Sequence, residues 1–158
     1  MTKWLSAEQQ SHWRAYLEAT TLLHERLSRE LQDAHGITIG DYEILVRLSE
    51  AEERRLRMSQ LAEHTLVSRS RLSHQIDRLE QVGLVRREAC SQDRRGQNAI
   101  LTDTGWELLV TAAPTHVGGV REHLVDQLSA SDFAALGRIC AAIAEHLDNS
   151  EPASPPTT

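Results

Sequence analysis

A mainly α-helical fold carrying one small β-hairpin follows from three features of this 158-residue chain. Apolar residues return at three- and four-residue steps through most of its length, the period of helices with one buried face. Helix-opening residues (Ser6, Thr38, Ser68, Thr102, Ser129) and helix-closing glycines (Gly36, Gly83) punctuate those stretches. A single region, residues 84–101, reads instead as two extended arms around a polar, turn-forming tip.

Ser6 with Gln9 three residues on is a capping box, and Trp13, Tyr16, Thr20, Leu23, Leu27 and Leu31 continue the stripe of a long first helix to Gly36. Thr38 and Asp41 open a shorter helix that turns Tyr42, Leu45 and Leu48 inward and dissolves in the charged run from Glu50 to Arg55. Leu56 and Met58 make a short extended piece. Ser59 caps a small helix ending near His64, and the turn Thr65-Leu66-Val67 leads to Ser68, the cap of a helix running to Gln81. On that helix Leu72, Ile76 and Leu79 share a narrow inward arc, while Ser70, Arg71, His74 and Arg78 fall opposite. Leu84 to Glu88 and Asn98 to Leu101 are the hairpin arms, with the basic tip Cys90 to Gly96 between them. Thr102 caps a helix whose stripe runs Trp106, Leu109, Ala113, Val117, Val120, Leu124, Leu128, with a bend expected at Pro114 and Gly118-Gly119. Ser129 caps a last helix carrying Phe133, Leu136, Cys140, Ile143 and Leu147, and the Pro- and Ser-rich tail from Asn149 is expected to be disordered.

Two short helices joined by a tight turn and followed by a hairpin make a winged helix-turn-helix, in the order α-α-β-α-α-β-wing-β-α-α. The expected division is a winged lobe over residues 37–105 and a helical dimerisation region formed by 1–36 with 106–148. The terminal helices are long and apolar on one side and have few partners within one chain, so dimerisation is the natural way to bury them.

Composition narrows the function. With 40% hydrophobic and 25% charged residues the chain is globular. No apolar run is long enough to span a bilayer, and Met-Thr-Lys-Trp-Leu-Ser lacks a signal-peptide core, so no membrane role and a cytoplasmic location are expected. Two cysteines fit a reducing compartment. The net charge of −6 argues against a bulk nucleic-acid coat protein, and six aromatic residues argue against a stacking surface for single strands. The charge is nevertheless uneven. Between Arg54 and Gln97 ten arginines face five acids, a local +5 inside a chain that carries −11 elsewhere. A basic centre in an acidic chain is the footprint of a localised polyanion-binding surface, and arginine's planar fork suits phosphates and guanine edges. A solvated, merely charged face is the plainer alternative.

The run Asp93-Arg94-Arg95-Gly96-Gln97-Asn98-Ala99-Ile100-Leu101-Thr102-Asp103-Thr104-Gly105 resembles the wing signature of the MarR (multiple antibiotic resistance) family of bacterial transcription regulators: an Asp-x-Arg tip followed by Leu-Thr-x-x-Gly. Leu79-Glu80 and Gly83-Leu84-Val85 with Arg87 are similar to the stretch joining that family's recognition helix to its wing. The resemblance covers about Ser6 to Leu147. It implies a homodimer, more often a repressor than an activator, whose recognition helices enter successive major grooves of a near-palindromic operator in double-stranded DNA. The DNA-binding residues expected on this helix are Ser68, Arg69, Ser70, Arg71, Ser73, His74, Gln75 and Arg78, the serines donating to phosphates and the arginines reaching guanines or backbone. The resemblance carries the minor-groove role to Arg95 and a tip-steadying role to Asp93, with Arg94 and Arg87 as phosphate contacts; for Asp93 and Arg95 the alternative is a plain ion pair in a turn.

The resemblance also implies release by a small-molecule effector, most often an aromatic acid or phenol, in a cleft between the dimerisation helices and the DNA-binding lobe. Candidate ligand residues are His12, Trp13, Arg14, Tyr16, Leu23, His24, Tyr42 and Trp106, with Arg14 chosen to hold a carboxylate; core or dimer packing is the plainer account of the aromatic ones. Cys90, flanked by Arg86 and Arg87, reads as a half-exposed thiol and Cys140 as a small core residue; a redox-responsive repressor is the alternative the first would serve. His116 and His123 share a helix face without a third ligand and read as surface histidines, so neither metal nor cofactor is expected, and a metal-responsive repressor is a further alternative. Phosphate-loop, nucleophile-elbow and paired-cysteine motifs are missing, which argues against an enzyme. A helical protein-binding adaptor would leave the arginine face without a purpose.

Overall fold

Helix ends in this chain are set by short-range hydrogen bonds that the sequence announces. The computed structural model describes residues 2–65, 68–90 and 93–149; the turn through Leu66 and Val67, the tail beyond Asn149 and the side chains of Asp93, Arg94 and Arg95 lie outside the described residues. Helix α1 (Ala7–His35) opens on a reciprocal pair: the Gln9 N–H donates to Ser6 Oγ at 3.1 Å and the Ser6 N–H to Gln9 Oε1 at 2.9 Å. It closes at Gly36, whose φ of +70° is the left-handed conformation that a residue without Cβ adopts at little cost. Helix α2 (Ile39–Glu50) repeats the opening device with Thr38 and Asp41. The charged run that ends α2 forms a tight turn, Glu52–Arg54, in which Glu53 and Arg54 both take left-handed φ values of 53° and 54°. That costs about 1–2 kcal/mol per residue. The Arg54 guanidinium holds the turn by bonding to Asp103 at 3.3 Å and lying 4.5 Å over the Trp106 ring.

The winged part follows. Strand β1 (Arg55–Arg57) leads directly into α3 (Met58–Thr65), which starts one residue before the expected Ser59 cap; the Gln60 side chain accepts the Arg57 N–H instead, at 3.3 Å. Helix α4 (Arg69–Gln81) is capped by Ser68, and β2 (Val85–Cys90) and β3 (Asp93–Leu101) form the hairpin. The sheet is antiparallel in the order β1-β3-β2, with Leu56 and Arg87 both opposite Ala99. Both hairpin arms extend further towards the tip than their side-chain pattern predicts, because pairing continues through polar residues that have no core to face.

Helices α5 (Asp103–His123) and α6 (Ala130–Asp148) complete the chain. Helix α5 continues through Pro114 and both glycines but stops at His123; Leu124 and Leu128 belong to a following turn around Val125–Gln127 rather than to the stripe expected of them. The chain forms two compact units, Met1–Gly119 and Val120–Thr158. The core of the first is built by Leu31 of α1, Ile44, Leu45 and Leu48 of α2, Leu61 of α3, Leu72, Ile76 and Leu79 of α4 and Val85 of β2, all fully buried. Each such side chain contributes about 1.5–3 kcal/mol of burial. In the second unit α6 buries none of its residues in the single chain, and Phe133, Ile139, Ile143 and Leu147 are exposed. Cys140 is accordingly exposed rather than a core residue. Cys90 is the reverse case: expected half-exposed, it is buried, its Sγ donating to Asn98 Oδ1 at 3.2 Å.

The Leu-Thr-x-x-Gly stretch has a direct physical reading. Thr102 Oγ1 accepts the Gly105 N–H at 3.0 Å, opening α5, and donates to the Gly83 carbonyl at 2.7 Å, fixing the helix start to the end of α4. A Cβ at Gly105 would run into the backbone carbonyl of Leu84, which cannot move without breaking its bond to the Thr102 N–H at 3.1 Å. Gly105→Ala is therefore expected to destabilise the fold by about 1–3 kcal/mol, read as a lowered urea midpoint.

Candidate nucleic-acid interface

The surface built on α4 starts from its cap. Ser68 Oγ accepts the Arg71 N–H at 3.3 Å and lies 3.3 Å from Ser70 Oγ, so the first turn presents hydroxyls beside free amide groups. With Leu72, Ile76 and Leu79 fully buried, the 3.6-residue period brings Arg69, Ser70, Arg71, His74 and Arg78 to the exposed side. Ser73 and Gln75 do not join them. Ser73 is half-buried and faces the hairpin, while Gln75 packs so closely on α2 that a Cβ at Gly40 would stand 2.7 Å from its Nε2.

Two ion-pair clusters fix this helix. Asp41 is buried at 3% exposure; its Oδ2 accepts the Thr38 N–H at 3.0 Å and the Thr38 hydroxyl at 2.8 Å, and its Oδ1 accepts a short hydrogen bond from Arg78 Nη2. One carboxylate thus caps α2 and anchors α4. On the other side Arg87 of β2 reaches Asp77 Oδ1 at 2.6 Å and Glu80 Oε2 at 2.9 Å and donates to the Ser73 carbonyl at 3.1 Å. With its side chain 17% exposed and both terminal nitrogens bonded to α4, Arg87 is a strut between wing and helix, in contrast to the exposed phosphate contact expected of it.

The arginines of the basic window consequently divide. Arg54, Arg55, Arg78, Arg86 and Arg87 all have acidic partners within 4 Å. Arg57, Arg69 and Arg71 have none among the described residues and are exposed. Unpaired, hydrated guanidinium groups on one side of a helix-turn-helix are what a phosphate backbone requires. The backbone of β3 carries Asp93, Arg94 and Arg95 on the hairpin beyond the core, where a wing tip has to be.

A sequence profile described as the MarR family matches residues 35–96, which span α2 to the wing. The chain is 49% identical to AbsC, a MarR family transcriptional regulator from Streptomyces coelicolor, covering 94% of this chain and 100% of that one with a TM-score of 0.87. It is 46% identical to Sco3205, a MarR family transcriptional regulator of the same organism solved in complex with DNA, covering 99% and 97% with a TM-score of 0.91. The chain belongs to the MarR family. A curated relative, the HTH-type transcriptional regulator PecS of Dickeya dadantii (strain 3937), is 27% identical over 134 residues, 84% of this chain and 80% of that protein. The protein is thus a DNA-binding transcription regulator and not an enzyme. Among its described residues no helix is long and apolar enough to cross a membrane.

For a MarR-family protein the position of cavities matters as much as that of arginines. One, of about 900 Å³, lies against α1, α2 and α4 and is lined by His24, Ser28, Thr38, Glu43, Gln75 and Arg78 among others. A second of about 440 Å³ adjoins Tyr42, Glu43, Arg47, His64 and His116. Of the sequence-derived ligand candidates, His24 lines the first and Tyr42 the second. The others are dispersed. His12 pairs weakly with Glu8, Trp13 stacks on Tyr16 at 5.7 Å with both about half exposed, and Arg14 borders a shallow surface hollow with Ala7 and Glu18. Leu23 is half-buried on α1, and one face of Trp106 is occupied by Arg54.

Sequence reasoning missed His116, read as a surface residue. Its ring lies 4.5 Å from that of Tyr42, and its Nδ1 is buried without a hydrogen-bond partner among the described residues. Its neighbours Tyr42 and Ala112, four residues before it on α5, are both buried positions, and that local pattern was the available signal. Burial lowers the imidazole pKa below its usual 6.5, against a smaller upward pull from Glu43, and raises the Tyr42 phenol above 10. The unfolded chain therefore binds a proton at His116 at higher pH than the folded one. Folding stability is expected to fall as pH drops from about 6.5, and His116→Phe is expected to flatten that part of a stability–pH profile measured by urea denaturation.

Proposed function

We propose that the protein acts as a homodimer on a near-palindromic operator, placing α4 of each protomer in a major groove and the β2–β3 wing at the flanking minor groove, and that it represses transcription until a small molecule releases it. The observation that carries this reading is the division of the arginines. Acid-paired ones brace α4 from two sides, and the unpaired Arg69 and Arg71 stand with Ser70 and His74 on its exposed face. Bracing a reading helix keeps its few base contacts in register, which is where sequence discrimination arises. Dimerisation is supported by the uncovered apolar residues of α6 and by Trp4, Leu5, Trp13, Tyr16 and Leu17 at the start of the chain, all at least two-fifths exposed.

Effector release is supported by the cavity lined by both His24 and Arg78. A molecule there touches the helix that reads DNA, and one that binds better when α4 is displaced shifts the population away from DNA. The amphipathic lining of the two cavities, with imidazoles, a phenol and a guanidinium, suits an aromatic acid or phenol.

Fluorescence anisotropy on duplex from the region upstream of the protein's own gene, across a salt series with competitor DNA, tests the reading. Tight binding whose log K falls steeply with log[salt] is expected. If that duplex is not bound and selection from random duplex enriches no palindrome, the operator reading is wrong. Arg95→Ala is expected to weaken operator binding at least about tenfold with the dimer still folded. Arg71→Ala is expected to cost about 1–3 kcal/mol more on the operator than on random duplex, as for a guanine contact, whereas equal losses would assign it to phosphate.

A further inference from the structure

Arg57 is the one unpaired arginine of the basic window that neither the recognition helix nor the hairpin tip supplies, among the described residues. It ends β1, opposite Asn98 of β3, and its N–H is fixed by the Gln60 side chain, so its backbone is held by both the sheet and α3. It lines a notch of about 330 Å³ together with Ser59, Arg69 at the start of α4, and Gly96 and Gln97 of β3. Among the described residues no carboxylate lines this notch. Two guanidinium groups that share a hollow without an acid repel each other and retain their hydration, an arrangement that an anion between them would relieve. Arg57, Ser59, Arg69 and Gln97 are all exposed, so a strongly solvated anion can reach the notch from solvent.

The position of the notch identifies the anion. A duplex that takes α4 into a major groove and the hairpin tip into the neighbouring minor groove has one sugar–phosphate strand separating those grooves. That strand has to cross the protein between the recognition helix and the wing, and the notch is the gap between them. We propose that Arg57 and Arg69 clamp a backbone phosphate of this separating strand, making Arg57 a DNA-binding residue that sets the spacing between the major-groove and minor-groove contacts. The inference rests on the groove placement proposed above. Arginine's fork can give two donors to one phosphate from each side, and such a contact is blind to base sequence.

The test uses the full-length chain, a duplex enriched by it from a random pool, and an unselected duplex of equal length. Arg57→Ala is expected to weaken binding to both by a similar factor, about tenfold. The slope of log K against log[salt] should become shallower, by up to about 0.9 for each subunit that loses one of its two clamping cations and so by up to about 1.8 for a dimer. Arg57→Lys, which keeps a cation, is expected to restore most of the slope. Because Arg57 is exposed, the circular dichroism spectrum and urea midpoint should remain those of the parent. A methylphosphonate scan then locates the contact: neutralising one phosphate per half-site should weaken the parent protein clearly more than Arg57→Ala, in which only Arg69 still faces that phosphate. An unchanged salt slope, or a loss confined to the selected duplex, would overturn the phosphate clamp while leaving the operator reading intact. Absence of salt-dependent binding by the parent protein would overturn both.

Discussion

The carboxylate of Asp41 is the point on which the DNA-facing surface depends. It is buried, its two oxygens are used by Thr38 and Arg78, and through them it serves the first turn of α2 and the outer side of α4 together. A buried ionised group is tolerated only with its hydrogen bonds satisfied, so Asp41 constrains both helices to the one geometry that satisfies it. Apolar packing alone would not do this. Leu72, Ile76 and Leu79 press α4 onto the core but leave it free to slide or roll by small amounts, because dispersion contacts are non-directional. The charged hydrogen bond removes that freedom at one face, and the Arg87 strut to Asp77 and Glu80 removes it at the other.

The same economy explains why so acidic a chain reads as a DNA-binding protein. Much of the arginine content of the central window is spent internally, against acids that lie on the helix and strands themselves. Among the described residues of that window, what remains for solvent is a small set of cations, Arg57, Arg69 and Arg71, at the edges of the recognition helix and wing. Long-range attraction then comes from local charge focused at a groove-shaped surface rather than from net charge, and association is steered to one orientation.

Legibility in the sequence followed the range of the interaction. The Ser6–Gln9 and Thr38–Asp41 capping boxes and the Gly36 stop are bonds between residues within four positions of each other, and they stand as read. The inward arc of α4 is likewise a local consequence of helical period. The 37-residue separation of Asp41 and Arg78 hid their pairing, so Asp41 was visible only as a helix-opening residue. For Arg87 the charge was legible and the pairing with Asp77 and Glu80 across β2 and α4 was not. Cys90 and His116 were misjudged for a related reason: burial by a strand partner or by Tyr42 across the fold leaves no periodic trace. For Cys140 the stripe was legible, but the core position read from it is exposed in the single chain.

The most direct test of this account removes the anchor without replacing any residue on the exposed face of α4. Asp41→Asn keeps the shape of the side chain and an oxygen for the Thr38 N–H, but lacks the charge that holds Arg78. Affinity for a selected operator and for random duplex should be measured by anisotropy over a salt series. The account predicts that discrimination between the two duplexes falls about tenfold or more while the salt slope stays that of the parent protein, since no phosphate contact is lost. Undiminished discrimination in a folded Asp41→Asn dimer would contradict it, showing that α4 finds its reading position without the buried carboxylate.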